Sequence, residues 1–192
     1  GFDAISQAVE SLFSLRSNKD SINFSKKSLK ILLNNYPNFI KNKNLENSYN
    51  MALGANLAGR AISISKTTLP HAMSYPFTIN YGVPHGHAVS LTFNKFLKFN
   101  YINMEKNISE FSLKNRFKIL FKLTNTNNIK ELDNFFKLIK KEAHLEQDMI
   151  KLGINLKKDI SKILDGINDQ RLKNNPIKVK KKDLEYILKK FN

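Results

Sequence analysis

The sequence predicts an all-α domain. Two observations point there. Apolar residues recur at three- and four-residue intervals along most of the chain, and strand signals are weak throughout. Its length of 192 residues suits one ordinary domain with a sizeable core.

Taken in order, the first helix carries one apolar stripe of Ile5, Ala8, Val9, Leu12 and Phe13. Asp3 and Gln7 stand four apart on a single face of it. A second helix is expected from an N-cap at Asp20 to Leu33, ending before Pro37. A third, Leu45 to Ile64, is rich in small residues, including Gly54, Ala58 and Ala61, which suits close helix packing. Pro70 precedes His71 and Pro84 precedes His85. Because Pro favours a helix's first turn, each His is expected near a helix N-terminus. Tyr75-Pro76-Phe77-Thr78 and Tyr81-Gly82 read as a break and a loop. Shorter helices follow at Leu113–Leu123, Ile129–Ala143, Leu145–Leu152 (stopped by Gly153), Asp159–Ile167 and Lys182–Phe191.

The composition narrows the function. Apolar residues at 41% and charged residues at 25% exclude a wholly disordered chain. No apolar run reaches the roughly 20 residues of a membrane span. With zero Cys there is no disulfide and no thiolate metal site, as suits a reducing, cytoplasmic setting. The net charge of +16 raises a basic helical anion- or nucleic-acid-binding module as one reading. Against it, Arg is confined to positions 16, 60, 116 and 171. Abundant Lys, Asn, Ile and Phe share A/T-rich codons, so a solvated Lys surface without a nucleic-acid partner is the expectation.

Three of the four His cluster, at 71, 85 and 87; His144 stands apart on a polar stretch, where exposure is expected. Imidazoles with the Asp3 carboxylate suit divalent iron or zinc, although spacing alone also allows structural His.

These residues resemble the C-terminal half of the iron-containing (group III) alcohol dehydrogenases. Gly1-Phe2-Asp3-Ala4-Ile5-Ser6-Gln7-Ala8 is similar to that family's Gly-x-Asp-Ala-x-x-His-Ala helix start. Ala58-Gly59, His71-Ala72-Met73 and Pro84-His85-Gly86-His87-Ala88 match further segments, with the two His fourteen residues apart. The resemblance implies a multi-helix domain of a dehydroquinate synthase-like fold. It further implies metal ligation by Asp3, His71 and His85, with Fe2+ first and Zn2+ second. Gln7 stands where the family usually has His, leaving Gln7, a water or His87 to complete the shell. Tyr75 likewise replaces a His that in many relatives lies near the nicotinamide.

The departures resemble the phosphonoacetaldehyde reductase branch, as does Arg171-Leu172-Lys173-Asn174-Asn175-Pro176. The activity implied is hydride transfer between NAD(P)H and an aldehyde, possible phosphonate substrates included. Lys66, Thr67, Thr68, His87 and Arg171, with Arg60 beside them, are the substrate-binding candidates by chemical type. Relatives are commonly dimers or larger, so a homo-oligomer is implied. The seven Gly form no phosphate loop, and the chain starts at Gly1 directly in a helix. The expectation is therefore a fragment: residues 1–192 as the helical metal-binding half, with the N-terminal nucleotide-binding α/β half missing and no turnover by the chain alone. The alternative is a metal-free, non-catalytic relative, for which Gln7 is the main support.

Overall fold

A computed structural model describes residues 1–190, of which Lys190 is described in its backbone only. Ten α-helices follow one another: α1 Phe2–Phe13, α2 Lys19–Lys41, α3 Leu45–Ser65, α4 Leu69–Tyr81, α5 His85–Ile102, α6 Leu113–Thr124, α7 Ile129–Glu142, α8 Leu156–Asp165, α9 Asp169–Leu172 and α10 Lys181–Lys190. A 3-10 turn at Met104–Lys106 follows α5. Among the described residues extended pairing is limited to one isolated bridge, Asn107 with Ile177. The all-α expectation holds.

The core is built around α1, whose whole apolar stripe is buried. It packs on α2, α3 and α5. Phe13 meets Phe117 at 4.7 Å and Phe96 edge-on at 5.9 Å, while Phe2 and Phe136 both meet Phe93. Fully burying one such ring stabilises the fold by about 1.5–3 kcal/mol relative to exposing it. The small residues of α3 act as expected: a Cβ on Gly54 would fall 2.6 Å from Leu32 Cδ2. That contact lets α2 close in until Ser28 Oγ donates to the Gly54 carbonyl at 2.8 Å.

Five helices begin on an Asn side chain that accepts backbone N–H groups: Asn18, Asn44, Asn128, Asn155 and Asn168. Part of the Asn abundance is thus capping chemistry. Asn18 with Ser21 forms a capping box, which displaces the expected N-cap at Asp20 into the first turn. Helix α2 also runs past Leu33. Pro37 removes one bond, yet the helix continues to Lys41 and closes with Asn42 N–H on the Asn38 carbonyl at 2.8 Å.

Two assignments are corrected. Tyr75–Thr78 is helical, with Pro76 inside α4. Pro76 has no N–H for the Ala72 carbonyl, and the Asn168 backbone N–H supplies the bond instead at 3.1 Å. Conversely, residues 145–152 form turns and no helix. His144 takes a left-handed φ of 53° after α7. Glu146 then accepts from the N–H of Gln147 and of Asp148, and Asp148 from that of Ile150, so side chains replace the helical acceptors. His144 is exposed, as expected, but in a turn. The expected terminus of the last helix at Phe191 lies outside the described residues. No helix among the described residues is long and apolar enough to cross a membrane.

Candidate metal centre

Three helix starts meet at one point. Asp3 lies in the first turn of α1, His71 in the first turn of α4, and His85 opens α5. One donor atom from each lies within 4.8 Å of the others. His71 Nε2 stands 3.3 Å from Asp3 Oδ1, and His85 Nε2 stands 3.9 Å from it. The two imidazole centroids are 5.4 Å apart. Asp3 Oδ1 and His71 Nε2 are buried atoms that complete no hydrogen bond. Buried polar atoms are nearly always satisfied, so two that face each other require an explanation. A divalent cation supplies one, and a carboxylate with two imidazoles is a fitting donor set for Fe2+ or Zn2+.

The approach of α5 depends on Gly86. A Cβ there would lie 3.0 Å from Asp3 Cβ, so the first turn of α5 reaches Asp3 because position 86 has no side chain.

Gln7 sits beside the cluster, one helical turn from Asp3, and its Nε2 donates to Asp3 Oδ2 at 2.9 Å. In this orientation it holds the carboxylate so that Oδ1 faces the two imidazoles.

The residue that sequence reasoning missed is Glu10. It is completely buried on α1. Its Oε1 accepts from Ser6 Oγ at 2.8 Å and lies 2.5 Å from His71 Nδ1. Its Oε2 accepts from the backbone N–H of Thr68 at 2.7 Å and from Thr68 Oγ1 at 3.0 Å. Because a carboxylate only accepts, Nδ1 of His71 carries the proton toward Glu10, and Nε2 is the nitrogen presented to Asp3. Burial by itself lowers the His71 pKa, but the charges of Glu10 and Asp3 outweigh it and raise the value to about 9. For Asp3, burial pulls upward and is outweighed by its contacts with His71 and by the nearby His85, leaving its carboxyl below the usual range.

The remaining candidates separate. Tyr75 lies beside the centre, its ring centroid 6.4 Å from that of His85. Arg171 on α9 donates from Nε to the Tyr75 hydroxyl at 2.9 Å and from a terminal nitrogen to Thr67 Oγ1. Thr68 is committed to Glu10. Lys66 is exposed and turns back on its own helix, its Nζ donating to the Ser63 carbonyl at 2.9 Å. Arg60 stacks on Phe24 at 4.2 Å. His87 Nε2 bonds to the Glu146 carbonyl at 2.6 Å and is not part of the cluster. A cavity of about 890 Å3 between α5, α7 and the 145–157 segment is lined by none of these candidate residues.

The fold and this centre define a class. Residues 1–191 match the C-terminal part of the Fe-containing alcohol dehydrogenase family, and the chain belongs to that family. It is 31% identical over 101 residues to a phosphonoacetaldehyde reductase of Streptomyces viridochromogenes, covering 52% of this chain and 25% of that protein. With the 4-hydroxybutyrate dehydrogenase of Clostridium kluyveri it shares 35% identity over 108 residues, covering 55% and 28%. Among solved structures, an archaeal halo-thermophilic Red Sea brine pool alcohol dehydrogenase superposes with a TM-score of 0.87 at 18% identity, covering 98% of this chain and 49% of that one. A sulfoacetaldehyde reductase from Bifidobacterium kashiwanohense, solved with NAD+, superposes with a TM-score of 0.81 at 20% identity, over 98% and 49%. The chain thus spans about half the length of these solved relatives.

Proposed function

We propose that the chain is the metal-holding half of an oxidoreductase that exchanges a hydride between NAD(P)H and a short aldehyde. The observation that carries this reading is the facing pair of buried, unbonded donors, Asp3 Oδ1 and His71 Nε2, with His85 Nε2 beside them. Asp3, His71 and His85 would hold a divalent ion, Fe2+ in the first place and Zn2+ in the second. When bound, that ion supplies a Lewis acid for the carbonyl oxygen.

The chain's own residues do the rest. Glu10 fixes the tautomer of His71, and Gln7 orients Asp3. The half-exposed His85 and the neighbouring Tyr75 border the place where the aldehyde arrives. The nucleotide belongs to an upstream α/β half, so residues 1–192 alone show no turnover under this proposal. On the substrate, the two curated relatives offer a lead. Their names specify phosphonoacetaldehyde and 4-hydroxybutyrate, each a short molecule with an anion at one end and the reacting carbon at the other. We take reduction of phosphonoacetaldehyde to 2-hydroxyethylphosphonate as the specific reaction, and a cytoplasmic homo-oligomer as its setting.

The test is aldehyde-dependent oxidation of NADH and NADPH by the chain joined to its nucleotide-binding half, with iron or zinc supplied. Turnover of phosphonoacetaldehyde that His71→Ala abolishes is the expected result. Turnover of no aldehyde by a folded, metal-loaded protein contradicts it. The orientation of Gln7, whose amide donates to Asp3, favours a second reading as a metal-free relative. Metal analysis separates the two.

A further inference from the structure

We propose that Arg171, seated between Tyr75 and Thr67, is the anion-binding site for the charged end of the substrate. The class of ligand is a short aldehyde or alcohol ending in phosphonate, sulfonate or carboxylate. The assignment rests on the Asp3–His71–His85 centre being the reacting end.

Place is the first argument. The guanidinium carbon lies 5.7 Å from the Tyr75 ring, and that same ring lies 6.4 Å from His85. Tyr75 thus borders both the cation and a candidate ligand. The second argument is charge. Arg171 is half-buried, and its side-chain partners are two neutral hydroxyls. No carboxylate among the described residues pairs with it, although Asp169 is two residues away on the same short helix. Acidic groups elsewhere, such as Asp133 with Lys98 and Lys137, do have partners. A partly buried cation without a counter-charge is unfavourable unless an anion completes it.

Geometry is the third. Of the three guanidinium nitrogens, Nε and one terminal nitrogen are held by the hydroxyls, and the other terminal nitrogen makes no bond within the described residues. Arg presents its donors in a rigid plane suited to oxyanions. The plane is itself fixed in place. Asn168 Oδ1 accepts the Arg171 backbone N–H at 3.0 Å, and Asn174 Nδ2 donates to the Thr67 carbonyl at 2.9 Å. Asn174 also accepts the Leu15 N–H at 2.8 Å, tying the segment to the end of α1. The competing cations are elsewhere: Lys66 folds onto Ser63 and Arg60 onto Phe24.

The experiment is calorimetric binding of 2-hydroxyethylphosphonate, 2-hydroxyethanesulfonate, 4-hydroxybutyrate and uncharged 1-butanol to the 192-residue chain and its variants. The wild type should bind at least one of the three anions tenfold or more tighter than 1-butanol, and the tightest identifies the head group. Arg171→Met should lose that preference, a tenfold change or about 1.4 kcal/mol. Arg171→Lys should retain part of it. Equal binding of anions by wild type and Arg171→Met overturns the proposal, as does a wild type without preference for anions. If Arg171→Met fails to fold by circular dichroism, Tyr75→Phe serves instead. It removes the hydroxyl that holds Nε and should weaken anion binding several-fold; an unchanged anion affinity then overturns the proposal. Anion binding through Arg171 by the chain joined to its nucleotide-binding half and loaded with metal, in a protein that turns over no aldehyde, would sink the hydride-transfer reading and leave this site standing.

Discussion

Replacing Glu10 with Gln probes the link between fold and site most finely, because shape is kept and one oxygen becomes a donor. The buried carboxyl receives Ser6 Oγ and His71 Nδ1 on Oε1, and the Thr68 N–H and Oγ1 on Oε2. A Gln amide has two ways to sit. With its oxygen toward His71, its NH2 faces the Thr68 backbone N–H, which cannot turn away. One buried donor is then unsatisfied, at a cost of about 1–3 kcal/mol. For a chain of this size that lowers Tm by between about 2 and 12 °C. With its NH2 toward His71, Nδ1 must accept, and the proton moves to Nε2, where the metal would bind. Second-layer losses of this kind reduce metal affinity about 10–100-fold. We expect both a lower Tm in the metal-free chain and weaker binding of zinc in a competition titration against a chromogenic chelator. A Glu10→Gln protein with wild-type Tm and wild-type zinc affinity would refute the assigned role of Glu10.

Other perturbations have equally defined outcomes. Gly86→Ala places a Cβ 3.0 Å from Asp3 Cβ and should push His85 away, lowering zinc affinity by roughly tenfold while circular dichroism is unchanged; unaltered affinity contradicts the close-approach argument. Phe13→Ala opens a cavity between Phe96 and Phe117 and should cost about 3–5 kcal/mol in urea unfolding; a loss below about 1 kcal/mol would mean the site collapses freely. Lys140 is buried, and burial lowers its amine pKa to about 7, with Asp133 opposing and neighbouring lysines assisting. The unfolded chain keeps that proton up to the ordinary 10.5, so the Lys140 contribution to stability rises with pH between the two values. Measured as wild type minus Lys140→Met, which cancels other groups, the slope should reach up to about 1.4 kcal/mol per pH unit. A flat difference would show that Lys140 stays charged.

Much of the helical architecture is legible in the residues, for a local reason. The stripes of α1, α6 and α7 repeat at the helical period and face the core. What the pattern hides depends on distant partners. Pro76 reads as a break because the donor that replaces its missing N–H is the backbone of Asn168, far along the chain. Residues 145–152 look helical by periodicity, but Glu146 and Asp148 bind nearby N–H groups and hold turns. The Asn residues read as codon bias include five helix caps. At the centre, Asp3, His71 and His85 stand out by motif, and the structure brings their donors together. Glu10 carries a fainter signal: it follows Asp3 and Gln7 along one face of α1, a third polar group on a mostly buried helix. Its partners, Thr68 and His71, come from another helix start, so spacing alone does not reveal its role. Arg171 reaches Tyr75 and Thr67 only through the tertiary fold.

The central claim is that Asp3, His71 and His85 bind a divalent metal. Elemental analysis of the chain after anaerobic loading with iron or zinc and removal of free ion measures it directly. The account predicts close to one equivalent in the wild type and none in His71→Ala/His85→Ala, with both proteins folded. Absence of retained metal in the folded wild type, or equal retention in both proteins, would contradict it.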